Sequence, residues 1–432
     1  KPLLRLIKQS ALTAYFSSGK WWQRLLRFLF SLGDPNDWRL LRKRAAGIRL
    51  SPLNTASGRR VGTREHLIKV QEDCPQYLTI RTEAFVTRVL FEGKRAIGVE
   101  YLEGHHLYQA DPHFEADHTG TVQQVYAARE VILCGGTFNT PQILQLSGIG
   151  PAELLDAHRI PVLVDLAGVG ANLQDRYEVG IVHRMKKRFS LLEDALMRPP
   201  EPGDPPDPHF EAWKKSGEGI YSTNGSVLSI IKRSSESKPD PDLFIFGLVG
   251  KFYGYYPGYS KTILEDIKSR DTFTWAILKG HTSNTAGTVT LRSADPRETP
   301  DIRFRYFEEG NGSEDDLEAM VDAMLFVREM AKNYGHMIKA EEIPGPEVQS
   351  REEIRQFVRN EAWGHHACGT CKIGPREDRM AVLDSQFRVH GTENLRVVDA
   401  SVFPSIPGLF IVSAVYMIAE KASDVILADA IS

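Results

Sequence analysis

Apolar and polar residues alternate through Tyr77–Phe91 (YLTIRTEAFVTRVLF), with β-branched and aromatic side chains at many of the apolar places, and a period of two predicts a strand. Glu92-Gly93-Lys94-Arg95 supplies turn residues and Ala96–Leu102 (AIGVEYL) resumes the pattern, so the segment reads as a hairpin. Val125–Leu133 (VYAAREVIL), followed by Cys134, reads as a buried strand running into Gly135-Gly136. A helix is expected next, capped by Thr140 with Pro141 in its first position, reaching about Leu146 and stopped by Ser147-Gly148-Ile149-Gly150. A short helix over Pro151–Ala157, a strand over Pro161–Leu166 and a tight turn at Gly168-Val169-Gly170 follow. Strand patterns at Gly180–Met185, Ser226–Lys232, Leu243–Val249, Phe273–Lys279 and Gly287–Arg292 suit one large sheet flooring a cavity. Between them, residues 198–208 carry six prolines and are expected to be a surface loop. Helices are predicted over Glu314–Asn333, with Ser313 and Asp316 as a capping pair and Gly335 as the stop, and over Ile411–Ala428. Internal repeats are not evident.

Composition narrows the class. A chain of 432 residues exceeds one ordinary core, so two domains are expected. Hydrophobic residues at 42% and charged residues at 25% exclude a disordered chain and a fibre, and no apolar run is long enough for a spanning helix. A net charge of −3 gives no electrostatic case for nucleic acid. The charge is uneven, however. Residues 1–60 hold thirteen basic side chains against Asp34 and Asp37, and Trp21–Leu32 (WWQRLLRFLFSL) reads as a short amphipathic helix. That helix either packs on the protein body or lies at a membrane surface, so the expected location is cytoplasmic with peripheral membrane contact left open. Four cysteines in this length suggest a reducing compartment without structural disulfides. The first residue is Lys1 and no signal-peptide pattern follows it, so a fragment or processed form is an expectation.

Three constellations can carry chemistry. Gly135–Gly150 (GGTFNTPQILQLSGIG) follows a buried strand with a glycine turn and a capped helix; glycines admit a close ligand and helix-start N–H groups attract anions, although a tight turn without a ligand has the same pattern. Trp363–Lys372 (WGHHACGTCK) sets two histidines beside Cys368 and Cys371. A single CxxC is weak evidence for zinc, whereas a histidine held among glycines is a reasonable general base. Asn394–Ser401 (NLRVVDAS) is an apolar strand ending in Asp399, either a ligand-binding acid at a strand's carboxyl end or a turn cap. His105, His106, His113 and His118 in the polar loop 104–120 fit no defensible metal spacing, and a solvated loop is the expectation.

Together these segments resemble the glucose-methanol-choline (GMC) family of flavin oxidoreductases, of the choline dehydrogenase-like kind. The Gly135–Gly150 run is similar to the family's second signature, Gly168–Asp175 (GVGANLQD) to the segment after it, and Asn394–Ser401 with Glu420-Lys421-Ala422 to its closing strand and helix. The resemblance covers roughly residues 45–430. It implies an α/β (α+β) fold: an FAD-binding domain over 1–180 and 363–432, and a substrate domain over 181–362 with a large, mostly antiparallel sheet. It implies FAD as cofactor and oxidation of a small alcohol, with His366 taking the hydroxyl proton while hydride passes to flavin N5. Val86, Gly135, Gly136, His365, Asp399, Ala400 and Ile411 match positions beside the cofactor. Electron acceptor and oligomeric state are left open, and no metal is implied.

Two departures matter. The family's second active-site residue, His or Asn eleven places after the Asp, falls on Phe410, which cannot hydrogen-bond a substrate oxygen and makes an apolar wall suited to a hydrophobic substrate. The family's G-x-G-x-x-G fingerprint has no counterpart in residues 1–432, so the first βαβ unit is expected to be missing. The alternatives to an FAD-dependent enzyme are a catalytically silent chain, or interaction protein, of the same fold that does not bind FAD alone, and a CxxC redox or metal protein.

Overall fold

The computed structural model describes residues 2–17, 46–308 and 312–431. The helix expected over Trp21–Leu32 lies outside the described residues. The chain forms two compact units, one from 1–79, 177–280 and 314–364, the other from 80–176, 281–313 and 365–432. Their boundaries differ from the expected division: residues 1–79, 177–180 and 363–364 join the unit of the large sheet, and 281–313 join the other.

The first unit is built on a six-stranded sheet with every pair antiparallel, in the order Gly47–Arg49, Ser226–Lys232, Leu243–Val249, Thr272–Lys279, Tyr177–Met185, Ile338–Ile343. Thr272–Lys279 is buried at all eight positions, as expected for a strand with neighbours on both sides and both faces covered. The helix Ser313–Lys332 buries Leu317, Met320, Val321, Met324 and Val327, an i, i+3, i+4 stripe. Just beyond it, the Tyr334 hydroxyl accepts the Trp275 Nε1–H at 2.8 Å, satisfying two polar groups in the core. Four of the five strand patterns expected here join this sheet. The fifth does not: Thr288–Thr290 pairs with Asp301–Arg303 in a separate two-stranded sheet of the second unit. The proline-rich loop ends one residue early, because Pro208 opens the helix Pro208–Ser216 and Asp207 caps it through the amides of His209 and Phe210.

In the second unit the hairpin pairs Ala84–Glu92 with Arg95–Glu103, and Thr121–Tyr126 adds a third antiparallel strand. Tyr77–Glu83 is not strand, although its alternation continues: the ladder register ends at Ala84↔Glu103, and only the Gly104 amide reaches on to the Glu83 carbonyl, at 3.0 Å. Val125–Leu133 is likewise two strands rather than one. Thr121–Tyr126 pairs with the hairpin, the chain breaks over 127–130, and Val131–Leu133 runs parallel to Leu395–Val397. The strand expected over Pro161–Leu166 shrinks to Val164–Asp165, paired with Ile149–Gly150. A core of Val131, Leu133, Leu144, Ile149, Val382 and Val397 joins these pieces, and the last helix runs Val412–Ile431.

Candidate functional site

The parallel pair places the site. Its register matches Leu395 with Val131 and Val397 with Leu133, and the Val398 amide donates to the Leu133 carbonyl at 2.9 Å. Two residues beyond each strand therefore lie side by side, which brings Asp399 to the Gly135-Gly136 turn. The helix that follows starts at Gly136, not at Thr140, and Pro141 is inside it. The start is early because its cap is tertiary. Asp399 Oδ2 accepts the Gly136 amide at 3.0 Å and the Thr140 hydroxyl at 2.6 Å, and the Gly135 amide donates to Thr140 Oγ1 at 3.0 Å. Asp399 Oδ1 meanwhile accepts the Ser401 amide at 2.7 Å, capping the turn Ala400–Val402, so this aspartate is a turn cap and a helix cap at once. A carboxylate at this helix start takes the place an anionic ligand would need, which removes the expected anion cradle there. Gly136 has φ +82°, and a Cβ at that position would meet open space. Beside it lies a cleft of about 700 Å³ lined by Val86, Cys134, Gly135, Asn139, Gln142 and Ile143 among others. Val86 reaches it from Ala84–Glu92, the edge strand of the three-stranded sheet.

His366 is held by the run Asn172–Arg176. The backbones of Gln174 and Cys368 exchange two hydrogen bonds of 2.9 and 3.0 Å, and Asn172 Nδ2 donates to the Gly369 carbonyl at 3.0 Å. Gly369 has φ +96°, and a Cβ there would fall 2.6 Å from the Asn172 carbonyl oxygen, so only glycine fits. Asp175, 4% exposed, accepts the His366 amide at 2.8 Å and the Arg176 amide at 2.7 Å on Oδ1, and the Tyr306 hydroxyl at 2.9 Å on Oδ2. Burial pushes the Asp175 carboxyl above its ordinary range, against the pull of those hydrogen bonds. His366 is 7% exposed. Burial, helped by the Arg176 cation and opposed by Asp175, holds its imidazole down to about 4, so it is neutral at pH 7.

Phe410 is brought to this histidine, its ring edge-on at a centroid distance of 5.4 Å and 37% exposed. Gln174 and Arg176 fix the loop that carries it: Gln174 Oε1 accepts the Ile406 amide at 3.1 Å, and Arg176 Nη2 donates to the Pro407 carbonyl at 2.6 Å. His365 is exposed and its ring lies 4.0 Å from that of His366. Ile411 packs on Cys368, Phe403 and Ile406, and the Ala400 carbonyl accepts the Gly369 amide at 3.1 Å. The structure thus gathers His365, His366 and Phe410 at one place and Val86, Gly135, Gly136 and Asp399 around the other. Cys368 and Cys371 are free thiols, buried, and burial raises both, Cys368 to about 12, which is the opposite of what a redox thiolate requires. In the polar loop His106 Nδ1 lies 2.9 Å from Asp111 Oδ2, and the exposed His106 and His113 rings meet edge-on at 5.2 Å.

Sequence reasoning missed Gln174, Asp175 and Arg176 as the residues that hold His366 and the Phe410 loop. The only signal for Gln174 and Asp175 was their place at the end of the Gly168–Asp175 run, and Arg176, just beyond it, had none.

Comparisons with known proteins agree on the family. Models of GMC oxidoreductase match residues 42–178 and 283–419. An oxygen-dependent choline dehydrogenase of Yersinia pseudotuberculosis is 36% identical over 374 residues, 86% of this chain and 60% of that protein, so the chain spans well under the full length of this relative. Among solved structures, a formate oxidase variant of Aspergillus oryzae studied for FAD modification superposes with TM-score 0.71 at 24% identity, over 88% of this chain and 65% of that one. A pyridoxine 4-oxidase (Mesorbium loti) superposes with TM-score 0.70 at 22% identity, over 98% and 69%. At those identities the structures attest the fold alone; the two family models, which together match more than half of the chain, establish that it belongs to the GMC oxidoreductase family.

Proposed function

We propose that this chain acts as an FAD-dependent oxidoreductase on a CH–OH donor, with His366 as the base. The observation that carries the reading is the state of His366: buried, neutral, pinned through its backbone by Asp175, and open to an apolar neighbour at Phe410. A neutral imidazole can take the proton of a substrate hydroxyl, and its position needs little rearrangement because Asp175 and Gly369 lock the backbone on either side. Bound FAD supplies the hydride acceptor. The residues fit such a group at the cleft, where Val86, Gly135 and Asn139 form the wall beside the open space at Gly136. Val86, Gly135, Gly136, His365, Asp399, Ala400 and Ile411 would hold it, with Asp399 acting through the turn it caps. Phe410 excludes water from one side of His366 and favours a small alcohol with an apolar body. The roles of the two halves, cofactor binding for 1–180 and 363–432 and substrate binding for 181–362, belong to this proposal. No described helix is long and apolar enough to cross a membrane, and peripheral contact through the basic amino-terminal segment remains an expectation.

The test is gel filtration of the chain after addition of FAD, read by absorbance, together with His366→Gln. Flavin co-eluting with both proteins, and alcohol-dependent bleaching of the flavin lost only in the variant, supports the reading. Absence of co-eluting flavin selects the alternative of a silent chain of the same fold, which draws on Asp399 at the helix start.

A further inference from the structure

Pro141 sits inside the helix Gly136–Leu146 and has no N–H to give to the carbonyl four residues back, that of Thr137. A buried carbonyl without a donor is costly, and this one finds its donor elsewhere in the unit: the Thr370 hydroxyl, at 2.6 Å. The exchange is reciprocal. Thr137 Oγ1 donates to the carbonyl of Ala367 at 2.8 Å, the residue directly after His366. Thr137 is nearly buried and Thr370 fully so, so water does not compete for either bond. Of this short helix start, Gly135 lines the cleft and Gly136 addresses Asp399, while Thr137 addresses the His366 loop at residues 367 and 370.

We propose that Thr137 and Thr370 are positioning residues: a proline-enabled hydroxyl–carbonyl latch that holds His366 in register with the Gly135-Gly136 turn. In an uninterrupted helix the Thr137 carbonyl would be shared between the amide of residue 141 and an outside donor, which would weaken the outside bond. Pro141 frees it, and the loop that carries His366 docks on it. The bearing on catalysis rests on the function proposed above; the latch itself does not.

The test uses the full chain with Thr370→Val, which keeps the shape and removes the donor, Thr370→Ser, which keeps the donor, and Pro141→Ala, which restores an N–H for the Thr137 carbonyl. In Thr370→Val the amides of 366–371 should exchange with solvent about tenfold faster than in the parent, the effect of losing one buried hydrogen bond, with Thr370→Ser close to the parent. Adding Pro141→Ala to Thr370→Val should recover thermal stability, because the carbonyl regains a partner, yet leave the fast exchange of 366–371 in place. In flavin-loaded protein kcat should fall about tenfold in Thr370→Val with KM within about twofold, and should stay low in the double variant. Unchanged exchange in Thr370→Val, equal behaviour of Val and Ser, or recovery of exchange and turnover along with stability in the double variant would each overturn the latch. A parent that binds no flavin defeats the functional reading alone, since the exchange experiment still decides the latch.

Discussion

Asp175, itself nearly buried, accepts three hydrogen bonds, and two substitutions there separate its shape from its charge. Asp175→Ala strands the amides of His366 and Arg176 and removes the acceptor of the Tyr306 hydroxyl. At roughly 1–3 kcal/mol for each buried donor left without a partner, and allowing for non-additivity, the loss should be about 4 kcal/mol. Asp175→Asn keeps the two amide bonds on its carbonyl oxygen, and the Tyr306 hydroxyl can turn to accept from the new NH₂ group. It gives up charge-assisted bonds but also the cost of burying a charge, so its net effect should be about 1 kcal/mol or less. The sign of the pH dependence follows from the raised carboxyl. The unfolded carboxyl titrates at its ordinary 3.8 and the folded one higher, so between the two the folded protein holds the extra proton and loses stability as pH rises. The difference between parent and Asp175→Asn should therefore move in favour of Asn as pH rises above 3.8. Urea unfolding followed by circular dichroism at several pH values measures both effects. An Asn variant as damaged as the Ala variant would refute the claim that acceptor geometry, not charge, is what this residue supplies.

Three further outcomes are expected. The His366 imidazole, followed by NMR with His366→Gln for assignment, should titrate near 4; because the unfolded ring protonates near 6.5, stability should be complete above that pH and decline by about 3 kcal/mol as pH falls towards 4, and a midpoint at 6.5 would contradict the burial argument. Phe410→Asn places a hydrogen-bonding group where an apolar ring faces His366, and should raise turnover of polar alcohols about tenfold while raising KM for apolar ones; unchanged turnover removes the argument for this position. Cys368 and Cys371 should react with a thiol reagent only after denaturation, and rapid labelling of either in the native chain would reopen a redox role.

The family and the mixed fold were legible in the linear order of short motifs; Gln174, Asp175 and Arg176, which hold His366 and the Phe410 loop, were not. Strands such as Ser226–Lys232 and Leu243–Val249, which are buried segments of strong β preference bounded by turn residues, were legible too. What stayed hidden depended on a partner distant in sequence. Alternation through Tyr77–Glu83 looks like strand, but a strand exists only as far as its neighbour reaches. Thr140 and Pro141 mark a helix start by every local rule, yet the helix begins earlier because Asp399, some 260 residues away along the chain, caps it. Residue types and spacing thus determined which groups can do chemistry: a histidine among glycines, an acid after a strand, a phenylalanine where a polar group was expected. Only the tertiary structure decided their states. Whether His366 is charged depends on burial and on Arg176, and whether Asp399 meets a ligand or a helix depends on one parallel register, because solvation and hydrogen-bond partners are properties of surroundings that neighbours in sequence do not specify.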